Sequence, residues 1–135
     1  YYVDVEYNRN VKSGLKITPK VIKVLGGEGA IINCDLIVHS RGESIIQDNL
    51  IALEMKKSTG KQEDKDSDRI RLQCLTKSYE QAVSSYNRGT FRESACGYGL
   101  GIYYETNFGQ NCILVEYYKN GAFYYDYTIP IHRKI

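Results

Sequence analysis

The chain has 135 residues, 42% apolar and 25% charged, with 12 glycines and 2 prolines. That is the size of one domain burying about two-thirds of its unfolded surface, and the composition excludes disordered and collagen-like chains. Its 18 basic and 16 acidic residues leave a net charge of +2, too small for whole-protein attraction to nucleic acid.

Residues 2–8 alternate, with Val3, Val5 and Tyr7 on one face and Asp4, Glu6 and Asn8 on the other, which predicts a half-buried strand. Residues 31–39 are apolar and β-branched over a length too short for a helix, so a second strand is expected. The link Ser40-Arg41-Gly42-Glu43 carries turn chemistry, and residues 50–56 read as a third, largely buried strand. The mixed-sign stretch Lys61–Asp68 reads as a solvated loop or helix entry, with Asp66 or Ser67 as cap. Leu72, Leu75, Tyr79, Ala82, Val83 and Tyr86 then recur at steps of three and four, predicting one helix that stops at Asn87-Arg88-Gly89.

Residues 97–105 predict another strand, with Gly97, Gly99 and Gly101 opening one face to close packing. Asn120-Gly121 between the runs Cys112–Tyr118 and Phe123–Ile129 is a strong hairpin signal. The hairpin tyrosines Tyr117, Tyr118, Tyr124, Tyr125 and Tyr127 fall on both faces, half for packing and half for a self-association or partner surface. The order β, β, β, long helix, β, β-hairpin fits an α/β or α+β domain, one sheet with a helix on a face.

No apolar run of about 18 residues suggests a membrane span, and no secretory leader is visible. The abrupt opening on Tyr1-Tyr2-Val3 reads as a single domain trimmed of some N-terminal residues. Cys34, Cys74, Cys96 and Cys112 lack metal-ligand spacing and read as buried free thiols of a reducing, cytoplasmic compartment.

The chemistry concentrates on the second and third strands. Asp35 lies in an apolar run, and Glu54 and Lys56 interrupt the next one. Charged groups there are costly unless paired, metal-bound or at the edge of a site. Period two puts Glu54 and Lys56 on one face, roughly 7 Å apart at Cα, with Met55 turned into the core beside Ile51 and Leu53. If the two strands pair, Asp35 comes alongside Glu54. Two carboxylates and an amine on one face suit metal-assisted phosphodiester hydrolysis, with hard oxygen ligands on Mg²⁺ and a lysine that steadies water and charge. The plainer alternative is a partly buried Glu54–Lys56 or Asp35–Lys56 salt bridge.

Glu6-Tyr7-Asn8-Arg9, Asp35-Leu-Ile-Val-His39-Ser-Arg41-Gly42 and Asn49-Leu-Ile-Ala-Leu-Glu54-Met-Lys56-Lys57, with Asp68-Arg69-Ile70 and Tyr98-Gly99-Leu100-Gly101, resemble a bacterial subgroup of the PD-(D/E)xK nuclease superfamily. The resemblance covers roughly residues 2–105, with Cys34 standing where the motif has Pro. It implies a restriction-endonuclease-like core, one mixed sheet flanked by helices with the C-terminal β-hairpin added. It also implies Asp35, Glu54 and the Met55 carbonyl as ligands to Mg²⁺ (Mn²⁺ substituting), Lys56 as catalytic lysine and Glu6 as an auxiliary acid.

The expected activity is hydrolysis of nucleic acid, DNA ahead of RNA, with Arg9, Arg41, Lys57, Arg88 and Arg92 as candidate backbone contacts. A domain this small needs flanking segments, a partner or a homodimer to grip both strands of a duplex. His39, on the Asp35 face, is a candidate for a metal-bound water or an ordinary strand-end histidine. The rival readings are a lapsed nuclease-fold module that binds nucleic acid or a protein, and a purely structural ion-pair network.

Overall fold

The computed structural model describes residues 1–7, 34–78, 80–81 and 96–132, with four short strands between 9 and 31; of residues 6–31 it describes backbone only. The elements run β1 (Tyr2–Tyr7), β2 (Arg9–Lys12), β3 (Lys16–Pro19), β4 (Val21–Ile22), β5 (Ala30–Ile31), β6 (Cys34–His39), β7 (Asn49–Lys57), α1 (Gln62–Thr76), β8 (Leu100–Asn107), β9 (Cys112–Lys119) and β10 (Ala122–Pro130). Six strands form one sheet in the order β1-β6-β7-β8-β9-β10, parallel between β7 and β8 and antiparallel elsewhere. The mixed α+β class expected from the sequence is therefore present. No helix among the described residues is long and apolar enough to cross a membrane.

The parallel β7–β8 pair needs a crossover, and α1 begins it, running back over the sheet from the C-terminal end of β7. Leu72 and Leu75 are fully buried against Cys34, Ile37, Ala52, Tyr98, Tyr103 and Tyr118. Each such leucine contributes about 1.5–3 kcal/mol by leaving water. The glycine face has its steric reason at Gly101, where a Cβ would sit 3.0 Å from Thr76 Cγ2 and 3.2 Å from Tyr118 Cβ. Gly97 and Gly99 instead precede β8.

The helix differs from expectation at both ends. It starts at Gln62, so the mixed-sign stretch forms its first turns, and neither Asp66 nor Ser67 is the cap. The stretch is not wholly solvated: Lys65 and Asp68, one helical turn apart, are buried against the sheet. The helix ends at Thr76, whose hydroxyl turns back to the Leu72 carbonyl at 2.9 Å. Tyr98 N–H then takes the Leu75 carbonyl at 3.0 Å. A new helical start follows, where Gln81 N–H donates to Ser78 Oγ at 3.1 Å and Ser78 N–H donates to Gln81 Oε1 at 2.8 Å. This reciprocal pair is a capping box. The single helix expected through Tyr86 thus breaks at Lys77-Ser78; Tyr79, residues 82–86 and the stop at 87–89 lie outside the described residues.

The hairpin is as expected, with Asn120 and Gly121 at φ 51° and 77°, the left-handed pair of a two-residue turn. The Ser40–Glu43 turn also stands, with Arg41 and Gly42 at φ 57° and 84°. None of the four cysteines is in a disulfide, and Cys34 is buried; Cys74, Cys96 and Cys112 are only partly so. Met55 contradicts its expected place in the core, since it is 49% exposed. The sheet face that carries it lies opposite α1, and the apolar core collects on the helix side. Between 9 and 31 lie β2–β5, two small two-stranded sheets not expected from the sequence; the second strand, expected over 31–39, is β6 from Cys34, and Ile31 belongs to β5.

Candidate functional site

The antiparallel ladder of β6 and β7 runs from His39↔Asn49 to Leu36↔Leu53 and stops there. One step further, where the strands part, come Asp35 and Glu54. Asp35 Oδ2 accepts the Met55 N–H at 2.7 Å, replacing the missing ladder bond with a side-chain bond. Period two then turns Glu54 and Lys56 toward α1, so the strands bring Asp35, Glu54 and Lys56 to one place as the spacing predicts.

The partners of these groups come from the helix. Glu54 is 1% exposed, and its Oε1 accepts from Arg71 Nη1 at 2.8 Å. Arg71 Nη1 also lies 3.1 Å from Asp68 Oδ1, and Lys56 Nζ lies 2.9 Å from Asp68 Oδ2. The expected salt bridges to Lys56 from Glu54 or Asp35 are thus replaced by Lys56–Asp68 and Arg71–Glu54. Among the described residues, Asp68 Oδ2 is buried and has no partner beyond its ion pair with Lys56 Nζ.

Burial pushes the Glu54 carboxyl up to about 7; Arg71 draws it down, while Asp68 and Asp35 push it up again. Burial outweighs the ion pair. Lys56 moves the other way from a typical buried lysine: the bond to Asp68 raises it, against desolvation, and it stays an ammonium.

The cluster sets three acids, Asp35, Glu54 and Asp68, against two bases, Lys56 and Arg71. Among the described residues no group of three or more His, Cys, Asp or Glu is arranged to hold a metal. What is present is a two-carboxylate oxygen set, Asp35 Oδ1 and Glu54 Oε2, neither with a hydrogen-bond partner among the described residues. Excess negative charge and few, hard donors fit a cation that keeps most of its waters, as Mg²⁺ does.

The other expected site residues are spread more widely. The partners Val5↔Leu36 and Tyr7↔Cys34 set Glu6 level with Asp35 on the neighbouring strand, but its side chain is outside the described residues. Lys57 is exposed at the end of β7, on the Met55 face, whereas Glu54 and Lys56 turn toward α1. Arg41 belongs to another cluster: it pairs with Asp4 at 2.7 Å and lies 4.4 Å over the Tyr2 ring. His39 is buried with Nε2 2.7 Å from that same Asp4, which ties it to β1. The side chain of Arg9, and all of Arg88 and Arg92, are outside the described residues.

Sequence reasoning missed Arg71 and Asp68 as members of the site. The signal available was their i, i+3 spacing on the helix. Two further helix–sheet pairs flank the site. Lys65 reaches Glu105 at 3.2 Å, and Arg69 grips Glu116 with two bonds of 2.9 Å while lying 4.3 Å over the Tyr103 ring. Neither a family model, a curated protein nor a solved structure matches the chain.

Proposed function

We propose that this chain is a divalent-cation-dependent nuclease that hydrolyses phosphodiester bonds in nucleic acid, DNA ahead of RNA. The observation that carries the reading is the buried Glu54 beside Asp35 at the point where β6 and β7 part, with Lys56 on the same face. The resemblance of the strand motifs to PD-(D/E)xK nucleases supports it from the sequence side.

Asp35 and Glu54, with the Met55 carbonyl, are the residues that would hold Mg²⁺, with Mn²⁺ substituting. When bound, such an ion polarises a phosphoryl oxygen and acidifies a water. Lys56, kept as an ammonium by Asp68, supplies positive charge to the phosphate and orients the attacking water; it is not the base. Arg71 holds the Glu54 carboxylate in one orientation. Lys57, exposed at the end of β7, is the candidate contact to the nucleic-acid backbone that this reading keeps.

The test is cleavage of single- and double-stranded DNA and of RNA with Mg²⁺ or Mn²⁺, beside Glu54→Ala and Lys56→Ala. Cleavage should disappear in both variants and with chelator. Unchanged cleavage in Glu54→Ala overturns the reading. One observation favours a second reading, a nuclease-fold module that binds nucleic acid or a protein partner: Glu54 and Lys56 are both already paired, to Arg71 and Asp68. Nucleic-acid binding without cleavage, unchanged by chelator, selects it.

A further inference from the structure

The outer edge of β10 has no strand partner among the described residues, and all nine of its residues are exposed. It carries one charge, Asp126, and no lysine. Edges of this length are ordinarily blunted, because their free N–H and C=O groups template another strand. Here the bulge between Phe123 and Tyr125 and the terminal Pro130 leave the stretch 125–129 regular.

Which groups face outward follows from the ladder. Ile131 N–H donates to Asn111 O at 2.7 Å, and in register that residue pair continues as Ile129↔Ile113, Tyr127↔Val115 and Tyr125↔Tyr117. Antiparallel pairs alternate between hydrogen-bonded and not. Tyr125, Tyr127 and Ile129 therefore spend their backbone groups on β9, while Asp126, Thr128 and Pro130 point theirs outward. Pro130 has no N–H to point, as suits that position.

We propose that β10 pairs antiparallel with β10 of a second copy about a two-fold axis at Tyr127, joining the two sheets. This goes beyond the nuclease reading and does not rest on it. An axis at Asp126 would set two carboxylates opposite each other, and one at Thr128 would match Asp126 with Pro130, which has no donor. The Tyr127 axis joins Asp126 to Thr128 of the other copy twice, through outward groups on both sides. It also meets Tyr125 with Ile129 of the other copy and brings the two Tyr127 rings side by side at the closely spaced, non-bonded position. Those rings continue an existing row, since Tyr127 lies 5.8 Å from Tyr117 and 6.0 Å from Tyr125 between ring centroids. Aromatic and β-branched neighbours across strands are the favourable kind.

The experiment is sedimentation of the chain over a concentration series, beside Thr128→Pro and Tyr127→Lys. The wild type should reach a discrete dimer. Thr128→Pro removes an outward N–H without touching the β9 ladder, and should weaken the dimer by roughly tenfold or more, since each copy loses a bond. Tyr127→Lys sets two ammonium groups together and should abolish the dimer, which keeps the test sharp if circular dichroism shows that the proline variant has not folded. A symmetric axis also singles out one disulfide: Tyr127→Cys should cross-link on oxidation, whereas Tyr125→Cys and wild type should not. A wild type that stays monomeric, a dimer indifferent to both substitutions, or a ladder growing beyond the dimer would each overturn the proposal.

Discussion

The C-terminal half of α1 rests on the sheet through Leu72 and Leu75, fully buried, with Gly101 opening the space beneath them. The stretch before them, Lys65–Arg71, forms the helix's polar part and meets the same sheet through Lys65, Asp68, Arg69 and Arg71, paired to Glu105, Lys56, Glu116 and Glu54. The first contact is what holds a two-layer domain together. The second takes charges out of water, and an ion pair rarely recovers that cost in full. Glu54 records the shortfall: even with Arg71 at 2.8 Å, burial keeps its carboxyl up at about 7. A helix that packs well with leucine at one end has no structural need for a half-protonated glutamate at the other. The proposed nuclease reading puts the chemistry in this polar stretch, where burial of charge costs stability.

The two halves should therefore respond differently to truncation. Leu72→Ala leaves a cavity in the apolar half and should cost about 2–5 kcal/mol in a denaturant melt, at any pH between 5 and 9. A loss under about 1 kcal/mol would mean that the leucines are not the main support. In the polar half the effect should depend on pH. Glu54 titrates at about 7 in the fold against an ordinary 4.5, so its protonated form favours folding. Its contribution is fully present below about 4.5 and is lost as pH rises through about 7, by up to about 3 kcal/mol. Glu54→Gln should flatten that part of the stability–pH profile; an unchanged slope would place the titration elsewhere. The smallest effect is expected at the exposed rim, where Asp66 lies 3.4 Å from Arg69 and is 57% exposed in its side chain. Asp66→Ala should shift stability by less than about 0.5 kcal/mol, and a larger loss would extend the polar half's demands to its surface.

Much of the frame was legible in the residues. Alternation found β1, although its Val3 and Val5 are exposed, short apolar runs found β6 and β7, Asn120-Gly121 found the hairpin, and Leu72 and Leu75 found the buried stripe of α1. The start of α1 was not legible, because Lys65 and Asp68 look solvated until the sheet supplies Glu105 and Lys56 as partners. The end was hidden for a related reason: the three-and-four spacing runs on past Lys77, while the break depends on Thr76 and Ser78 hydroxyls turning to the backbone. Met55 was misplaced because alternation tells which residues share a face and not which face the helix covers. In the candidate site, Asp35, Glu54 and Lys56 stood out as charges in apolar runs, spacing put Glu54 and Lys56 on one face, and Asp35 came beside Glu54 only on the condition that β6 and β7 pair, as they do. Arg71 and Asp68 required the register of the helix on the sheet, which no local pattern encodes.

The most direct test of the polar half's role is a calorimetric titration of Mg²⁺ into the wild-type chain and into Glu54→Gln, at a pH above 7. The account predicts saturable binding to the wild type that the variant loses while keeping its fold, because the amide cannot supply the anionic oxygen that the cation requires. Wild-type protein that takes up no Mg²⁺, or a variant that binds it equally well, would contradict the account and leave the buried charges as a structural network.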